Sequence, residues 1–317
     1  MTKGEKIMRR IIDTHMHIGD LYGENLNITF KKPLQYIYRP YSDVFEKLGE
    51  IGYSEPLVVP DVERHNRLID ASQLHTWECG GFQATVNAMD FSGINYVVNL
   101  PILPGSTFDE GLAASKLDSR ILNFTCCDFD LPIDEMLRKL KKDIVRGAKG
   151  LKLHPIIQDV SPRDERLHAA MELFGDLGLP ITSHCGANDY YKMDSPYYKP
   201  NKEYGELYYY LELIEKYPDY TFIPAHCGGF SGGEMDELAD AVKAHGWKNT
   251  YVETSMRSRA DIEKMIDLFG EDKVMFGTDF PSASYIYSLE CVVQATEHDP
   301  ELQEKVLYRN AAKLLNI

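Results

Sequence analysis

The sequence RRIIDTHMH, residues 9–17, is a short apolar, β-rich run that ends in two histidines two positions apart. Seven further β-rich runs follow it, and the stretches between them repeat apolar residues every three or four positions. This spacing, clear at residues 132–147, 163–178 and 259–270, is typical of amphipathic helices. The further β-rich runs cover residues 94–100, 121–129, 148–155, 179–186, 220–229, 249–255 and 273–281.

A regular alternation of strands and helices predicts βαβ units and a parallel sheet. Eight such units in 317 residues predict a (β/α)8 TIM barrel, a fold of the α/β class, as a single domain over residues 1–317. A doubly wound open sheet is the alternative. No glycine-rich G-x-G-x-x-G turn follows the first run, which disfavours the dinucleotide-binding version of that sheet.

Two insertions interrupt the alternation, at residues 18–75 after strand 1 and at residues 187–204 after strand 5. Long loops in compact domains are usually functional, so the first insertion is predicted to form a lid. The second insertion is rich in tyrosine, which favours a lid or a subunit contact. Its side chains are expected either to form an aromatic wall for a planar substrate or to pack on a neighbouring subunit. They are Tyr190, Tyr191, Tyr197 and Tyr198.

Composition and charge disfavour several classes of protein. With 44% hydrophobic and 26% charged residues, the chain is typical of a globular protein with a sizeable core. Its net charge of -15 argues against nucleic acid or an anionic membrane as a partner. We expect no signal peptide and no membrane span, since no apolar run approaches about 20 residues. The six cysteines include no C-x-x-C pair, which indicates free thiols in a reducing compartment and predicts a cytoplasmic location.

Polar side chains cluster where the predicted strands end. In a parallel barrel these carboxyl-terminal ends gather on one face, which is where active sites lie. Because side chains on a strand alternate with a period of two, His15 and His17 are expected to face the barrel mouth together. With His184 and Asp279 they offer three nitrogens and one oxygen, a set that suits one Zn²⁺, with Mn²⁺ or Fe²⁺ as alternatives. The strand-end residues are Asp13, His15, His17, Lys152, His154, His184, His226, Glu253 and Asp279.

Several of these residues are candidates for catalysis or substrate binding. A metal lowers the pKa of bound water to about 7, and Asp279 could both ligate it and accept a proton from that water. His226 is the candidate proton shuttle, because an imidazole titrates near neutral pH. His154 is expected either to line the pocket or to cap its strand, and Glu253 either to contact substrate or to balance charge near the metal. Arg257 is either a fork for a substrate carboxylate or a solvated surface residue.

Six motifs along the chain resemble those of the amidohydrolase superfamily. They are DTHMH, GLKLHP, SHCG, AHCGG, FGTDFP and the closing YRNAAKLLNI, which occur in this order from residue 13 to the C-terminus. The chain resembles in particular the amidohydrolase-related branch, which contains aminocarboxymuconate-semialdehyde decarboxylase, other aromatic-acid decarboxylases and several lactone hydrolases. The resemblance implies that His15, His17, His184 and Asp279 are metal ligands and that His226 acts as an acid or base.

Four further residues have roles that the sequence leaves open. In binuclear relatives a strand-4 lysine is carbamylated and bridges two metals; Lys152 is either such a bridge or a cation in the core or close to the ligands. Asp13 either orients a ligand imidazole or makes a hydrogen bond at the strand end. Cys185 and Cys227 each follow a key histidine and are expected to face the helices, away from the pocket.

The predicted reaction is hydrolysis of a small ester, lactone or amide by metal-activated water. The alternative is non-oxidative decarboxylation of a small aromatic carboxylic acid. Several decarboxylases of the branch carry Glu-x-His on strand 1, whereas this chain has His15-Met16-His17. A catalytically inactive binding barrel would be expected to lack a ligand, and none is missing. We expect a small-molecule substrate and, from the base rate of twofold oligomers, a homodimer.

Overall fold

The computed structural model of the protein describes residues 10–22, 29–30, 62–229 and 233–317, except for the side chains of Arg64 and His65. Most of the insertion at residues 18–75, and with it the predicted lid, lies outside the described residues. Within its described part, a helix begins at Val62 and continues to Cys79.

The strands are short, and all of their pairings are parallel. They are β1 Ile12–Met16, β2 Tyr96–Asn99, β3 Ile121–Asn123, β4 Thr125–Cys126, β5 Leu151–Leu153, β6 Ile181–Ser183, β7 Phe222–Pro224, β8 Val252–Glu253 and β9 Val274–Met275. Only Phe124 separates β3 from β4, so these two form one strand of the barrel. Each of the eight predicted β-rich runs therefore contains one strand of the barrel.

Helices follow the strands and cover their outer faces. They are α1 Val62–Cys79, α2 Phe82–Ser92, α3 Phe108–Leu117, α4 Ile133–Val145, α5 Glu165–Gly175, α6 Leu207–Lys216, α7 Glu234–His245, α8 Arg259–Phe269, α9 Tyr285–Ala295, α10 Pro300–Glu304 and α11 Asn310–Leu315. Short-range sequence signals set several of their starts: Ser258 and Asp261 cap the first turn of α8 reciprocally. No helix in the described part of the chain is long and apolar enough to cross a membrane.

Isolated bridges bring the paired segments of the sheet next to one another in the order of a barrel. The paired segments run β1-β2-β3, β4-β5-β6-β7 and β8-β9. A parallel bridge between Phe222 and Thr250 joins the second segment to the third, and another between Met16 and Phe280 joins the third to the first. The backbone N–H of His17 donates to the Phe280 carbonyl at 2.7 Å. The structure has the predicted (β/α)8 architecture, with its parallel strand order and surrounding helices, and not a doubly wound open sheet.

Two apolar clusters hold the barrel together. One lies between strands and helices and includes Cys185 and Cys227, so both thiols face the helices as predicted. The other fills the barrel with Ile12, Phe124 and Met275, among others, and is closed by Ala311 and Leu315 of α11. All six cysteines are free and buried, in agreement with the predicted absence of disulfides.

The tyrosine-rich residues 187–204 fold back over the barrel mouth. Tyr191 is buried in a small apolar cluster with Tyr22 and Ile157, and its hydroxyl donates to the Tyr22 carbonyl at 2.6 Å. Tyr190 and Tyr198 pack against the same cluster. These three tyrosines thus pack within the chain.

Candidate metal centre and active site

Three predicted ligands converge at the end of β1. The Nε2 atoms of His15 and His17 lie 3.2 Å apart. The Asp279 carboxylate, which follows β9, places Oδ1 at 3.0 Å from His17 Nε2 and 3.4 Å from His15 Nε2. Atoms that share a metal at about 2.0–2.2 Å lie roughly 3–3.5 Å apart, so this spacing fits a common divalent cation.

The outer nitrogens of the two imidazoles are held by acceptors. His15 Nδ1 donates to Glu253 Oε1 at 3.0 Å, and His17 Nδ1 donates to the Leu100 carbonyl at 2.6 Å. Since a neutral imidazole has one N–H, each Nε2 must carry its lone pair. Two lone pairs and a carboxylate oxygen facing one another would repel without a cation between them. The donor set therefore fits a divalent metal.

The charges of this group suit metal ligation. Burial, followed by the nearby Lys152 ammonium, holds the pKa of His15 well below its usual value, so the imidazole is neutral. Burial raises the pKa of Asp279, but its contacts with His15 and His17 and the nearby Lys152 charge lower it by more, so the pKa lies below its usual value. Neutral imidazoles and an ionised carboxylate are the forms that bind a metal.

Asp13 fixes the backbone that carries these ligands. Its Oδ1 accepts from the backbone N–H of His15 at 3.0 Å and of Thr278 at 3.1 Å, and its Oδ2 accepts from the Thr278 hydroxyl at 2.7 Å. The carboxylate thus fastens β1 to the residue before Asp279. Asp13 therefore makes the predicted strand-end hydrogen bonds, and these contacts do not include a ligand imidazole.

Backbone strain marks two of the candidate functional residues. His226 and Asp279 adopt the left-handed conformation, with φ of 55° and 62°. Such a conformation costs a non-glycine residue about 1–3 kcal/mol and persists where the surrounding structure enforces it. Here the strained backbone places both side chains next to His15.

Glu253 lies behind His15, fully buried. It accepts from His15 Nδ1, from the backbone N–H of His226 at 2.7 Å and from Ser255. Its carboxylate contributes negative charge next to a candidate ligand. The residues that line the cavity in front of the ligands do not include it.

His226 lies in the turn Ala225–Gly228, directly after β7. Its ring centre is 5.1 Å from the ring centres of both His15 and His184. Burial, followed by the neighbouring His15 and His184, lowers the pKa of His226 well below its usual value, so the imidazole is neutral.

His184 does not join the three converging ligands in this structure. Its Nε2 lies 3.0 Å from the Gly186 carbonyl and 2.8 Å from the Tyr190 hydroxyl. Its ring stacks on that of His154, with centres 4.2 Å apart and planes 6° apart. Burial, followed by the charge of Lys152, lowers the pKa of His184 to about 3. His184 therefore lies next to the metal position, with Nε2 directed to other partners.

Lys152 is a buried cation beside the ligands. Its Nζ lies 3.4 Å from His15 Nε2, and the side chain is only 1% exposed. Burial lowers the pKa of Lys152 to about 8, although Asp279 and Glu253 counteract the shift. Lys152 thus lies close to the candidate ligands, where either of its predicted roles would place it.

The ligands open onto a small cavity of about 30 Å³. A second cavity of about 50 Å³ lies further out, and both are bounded by Tyr22, Tyr190, Asp279 and Ser282. The inner cavity is lined by His15, His17, Leu21, Tyr22, Ile102, Lys152, His154, Ile157, His184, Tyr190, Asp279 and Ser282. His154 thus lines the cavity, as one of its two predicted roles requires.

A family model described as amidohydrolase matches residues 78–317, which is more than half of the chain. The chain belongs to the amidohydrolase family. The predicted resemblance is confirmed, and the protein is an enzyme of this family. No curated protein sequence matches the chain closely enough to establish a relationship.

Solved structures of similar fold cover almost the whole amidohydrolase chain. 5-carboxyvanillate decarboxylase from Sphingomonas paucimobilis has 14% identity and a TM-score of 0.62, with 97% of this chain and 99% of that chain covered. 4-oxalomesaconate hydratase from Rhodopseudomonas palustris has 15% identity and a TM-score of 0.58, with 96% and 95% covered. An amidohydrolase from Burkholderia multivorans with bound zinc has 13% identity and a TM-score of 0.57, with 97% and 99% covered. At these identities the likeness establishes the shared fold.

Arg257 of this amidohydrolase holds backbone at the barrel mouth. One guanidinium nitrogen, Nη2, contacts the carbonyl oxygens of His226 and Gly229. Neither of the two cavities that Asp279 borders is lined by Arg257. Arg257 lies after β8, and its contacts fix the turn that carries His226.

Sequence reasoning missed three residues of the amidohydrolase site. Tyr22 and Ser282 line the cavity, and Ser255 links Glu253 to His226. Ser255 lies two positions after Glu253, so the strand period of two could have placed both on one face. Tyr22 and Ser282 lie in loops, where no spacing rule applies.

Proposed function

We propose that this amidohydrolase-family enzyme is a hydrolase that uses one divalent metal, with Zn²⁺ as the best fit and Mn²⁺ or Fe²⁺ as alternatives. His15, His17 and Asp279 would hold the metal, and His184 would complete the set after its ring turns from Gly186. The observation that carries this proposal is the convergence of two Nε2 lone pairs and one carboxylate oxygen within 3.4 Å.

The proposed reaction is attack of water on the carbonyl carbon of a small ester, lactone or amide. When bound, a divalent metal lowers the pKa of water towards about 7 and polarises a carbonyl oxygen. Asp279 or His226 takes the proton that the attacking water releases. The bond from carbonyl carbon to the leaving oxygen or nitrogen then breaks, and that proton passes to the leaving group.

The cavity lining supports a small substrate. Tyr22, Tyr190, His154 and His184 all line the cavity and offer flat aromatic faces to a planar group. Lys152 supplies a buried positive charge that could pair with an anionic substituent. These contacts make His154 a substrate-binding residue in the proposal, whereas Arg257 and Glu253 act by holding the backbone of His226 and the ring of His15.

Decarboxylation of a small aromatic carboxylic acid is the second candidate function. It is favoured by the same flat faces and by the buried Lys152 ammonium, which could hold a carboxylate. One structure of similar fold, from Sphingomonas paucimobilis, is a 5-carboxyvanillate decarboxylase. In this reaction the bond to the carboxyl carbon breaks, its electron pair stays on the ring carbon, and an acid such as His226 protonates that carbon as carbon dioxide leaves.

Metal content is the first test of the proposal. We expect about one transition metal per chain by elemental mass spectrometry, and its loss in the double variant His15→Ala, His17→Ala. His168→Ala, a histidine on α5 away from the site, is the matched control and should retain the metal. A wild-type protein that binds no metal after reconstitution with zinc and with manganese would overturn the proposal.

A substrate screen separates the two candidate reactions. Zinc-loaded protein is tested on lactones, esters and amides for acid release, and on hydroxylated aromatic acids for carbon dioxide release. Hydrolysis that is absent from the His15→Ala, His17→Ala variant supports the first function. Carbon dioxide release without any hydrolysis replaces it with the second. The homodimer and the cytoplasmic location stay predictions of the sequence.

A further inference from the structure

One buried carboxylate, that of Glu253, receives hydrogen bonds from three segments of the barrel. The donors are His15 Nδ1 from β1 at 3.0 Å and the backbone N–H of His226 at 2.7 Å. Ser255 donates twice, from its backbone N–H at 2.7 Å and from its hydroxyl at 2.8 Å. Oε1 alone accepts from His15, His226 and the Ser255 hydroxyl, so this atom links a candidate metal ligand to the candidate proton shuttle.

The direction in which the Ser255 hydroxyl donates determines which ring nitrogen of His226 carries a hydrogen. A hydroxyl has one hydrogen to donate, and here it goes to Glu253, because a carboxylate oxygen can only accept. His226 Nδ1 lies 2.7 Å from the same hydroxyl oxygen. This oxygen must therefore accept from an N–H on Nδ1. Since a neutral imidazole carries one N–H, Nε2 is left as the nitrogen that can take up a proton.

We propose that Ser255 is a positioning residue that holds His226 in the Nδ1–H tautomer. The inference rests on the proposed role of His226 in proton transfer and assigns the reactive atom, Nε2, and the group that selects it. A histidine of the opposite tautomer would present an N–H at Nε2 and could not act as a base there. Ser255 is fully buried, so water does not replace its hydroxyl in this contact.

Glu253 extends this arrangement to the metal ligand. The Oε1 atom that accepts from the Ser255 hydroxyl also accepts from His15 Nδ1, which leaves His15 Nε2 to face the metal position. One carboxylate thereby fixes the tautomers of both imidazoles, directly for His15 and through Ser255 for His226. Loss of the hydroxyl removes the link to the His226 ring and leaves the backbone bond from His226 and the bond from His15 in place.

The tautomers can be read directly by NMR. The zinc-loaded protein is labelled with ¹⁵N histidine, and two-bond proton–nitrogen spectra report which ring nitrogen carries hydrogen. His226→Gln assigns the His226 signals by their disappearance. We expect wild-type His226 to be the Nδ1–H tautomer. In Ser255→Ala this single form should give way to a mixture or to Nε2–H, and Ser255→Thr, which keeps the hydroxyl, should restore it.

Ser288→Ala is the matched control, since Ser288 is a buried serine on α9, away from Glu253. It should leave the His226 signals unchanged. A wild-type His226 in the Nε2–H form would overturn the inference, and so would an unchanged Nδ1–H form in a folded Ser255→Ala. Should Ser255→Ala fail to fold, Ser255→Cys takes its place, and the wild-type spectrum alone can still contradict the inference.

Turnover separates failure of this inference from failure of the proposed function. On a substrate found in the screen, Ser255→Ala should lower kcat about 10- to 100-fold with KM and zinc content retained, and Ser255→Thr should recover most of the loss. Full turnover by His226→Gln would overturn the proton-transfer role, while the NMR result on Ser255 would stand. An unchanged kcat in Ser255→Ala would overturn the functional part of the inference.

Discussion

The two walls of the cavity are built in different ways. The metal wall, His15, His17 and Asp279, comes from β1 and from the residues after β9. Each imidazole there is held by an acceptor outside the cavity. The aromatic wall, His154, His184 and Tyr190, comes from the loops after β5 and β6, and its rings contact mainly one another.

This difference indicates which wall is set before a metal or substrate binds. The metal wall is fixed from behind by buried groups on neighbouring strands, so a change in one of them moves a ligand atom. The aromatic wall depends on stacking and on a tyrosine hydroxyl in a loop, so it can adjust to an occupant. Substitutions in the metal wall should therefore have larger effects than substitutions in the aromatic wall.

The largest effect is expected for Asp279→Asn. The amide keeps the shape of the side chain but removes both the negative charge and the proton acceptor, so we expect turnover to fall by more than about 100-fold. Bound zinc per chain should fall as well. Asp176→Asn, on the surface beside Tyr220, is the control and should leave both quantities unchanged. Full turnover in Asp279→Asn would refute the proposed role of the metal wall.

Glu253→Gln should weaken zinc binding by about 10- to 100-fold, because it disturbs the group that orients His15. The glutamine amide also presents N–H groups where the carboxylate accepts from Ser255. Competition with a chelator measures the affinity, and Glu172→Gln, whose carboxylate accepts from Tyr217 at the surface, is the matched control. Unchanged zinc affinity would mean that the hydrogen bond from His15 to Glu253 does not contribute to zinc binding.

Gly277→Ala tests the position of the Glu253 carboxylate from the neighbouring strand. A Cβ at Gly277 would lie 2.3 Å from Glu253 Oε2, so the carboxylate must move. We expect a loss of about 1–3 kcal/mol in the free energy of unfolding, together with weaker zinc binding. Gly233→Ala, where a Cβ meets no atom of the described residues within 4 Å, should change neither. Thermal unfolding with and without zinc measures both effects.

Tyr190→Phe should have a smaller effect, because it removes one hydroxyl from the aromatic wall and leaves the ring. Loss of the contact with His184 should cost about 1 kcal/mol or less in stability. Zinc affinity should change by less than about tenfold. A loss of zinc as large as that in Glu253→Gln would show that the aromatic wall is equally preset.

His168 on α5 gives the smallest effect and shows what a histidine outside both walls contributes. Burial, with the nearby Lys216, lowers its pKa from 6.5, so the folded protein binds fewer protons at this group than the unfolded chain. Stability should therefore rise with pH up to about 6.5 and decline as the pH falls through the lowered value. Urea unfolding at pH 5 to 7 measures this pH-dependent part of the free energy of unfolding, which should be well under about 1 kcal/mol. In His168→Gln it should be absent. An identical pH dependence in both proteins would contradict it.

The barrel and the metal wall could be predicted because both follow from short-range patterns. Apolar runs gave the strands, and the period of two placed His15 and His17 on one face. Asp279 could be added because parallel strands end on the same side of a barrel. The helices at 132–147 and 163–178 were likewise predicted within a few residues of their observed ends.

The orientation of side chains could not be predicted in the same way. The contact between His15 and Glu253 joins residues 238 positions apart, and no local pattern specifies which atom meets which. His184 was placed correctly at a strand end, but the direction of its Nε2 depends on Tyr190 in a loop. Arg257 was predicted as a carboxylate fork or a surface residue, yet its contacts are with backbone carbonyls that only the folded turn presents.

The contact of Asp13 with Thr278 has a consequence for the order of folding. It joins residues 265 positions apart, and it brings Asp279 to the ligands on β1. The metal wall therefore exists only after the last strand has docked beside the first, which is the slowest kind of contact for a chain to form. A bound cation would stabilise that final step by mass action. Metal binding in a refolding experiment would then report the moment at which the two ends of the barrel meet.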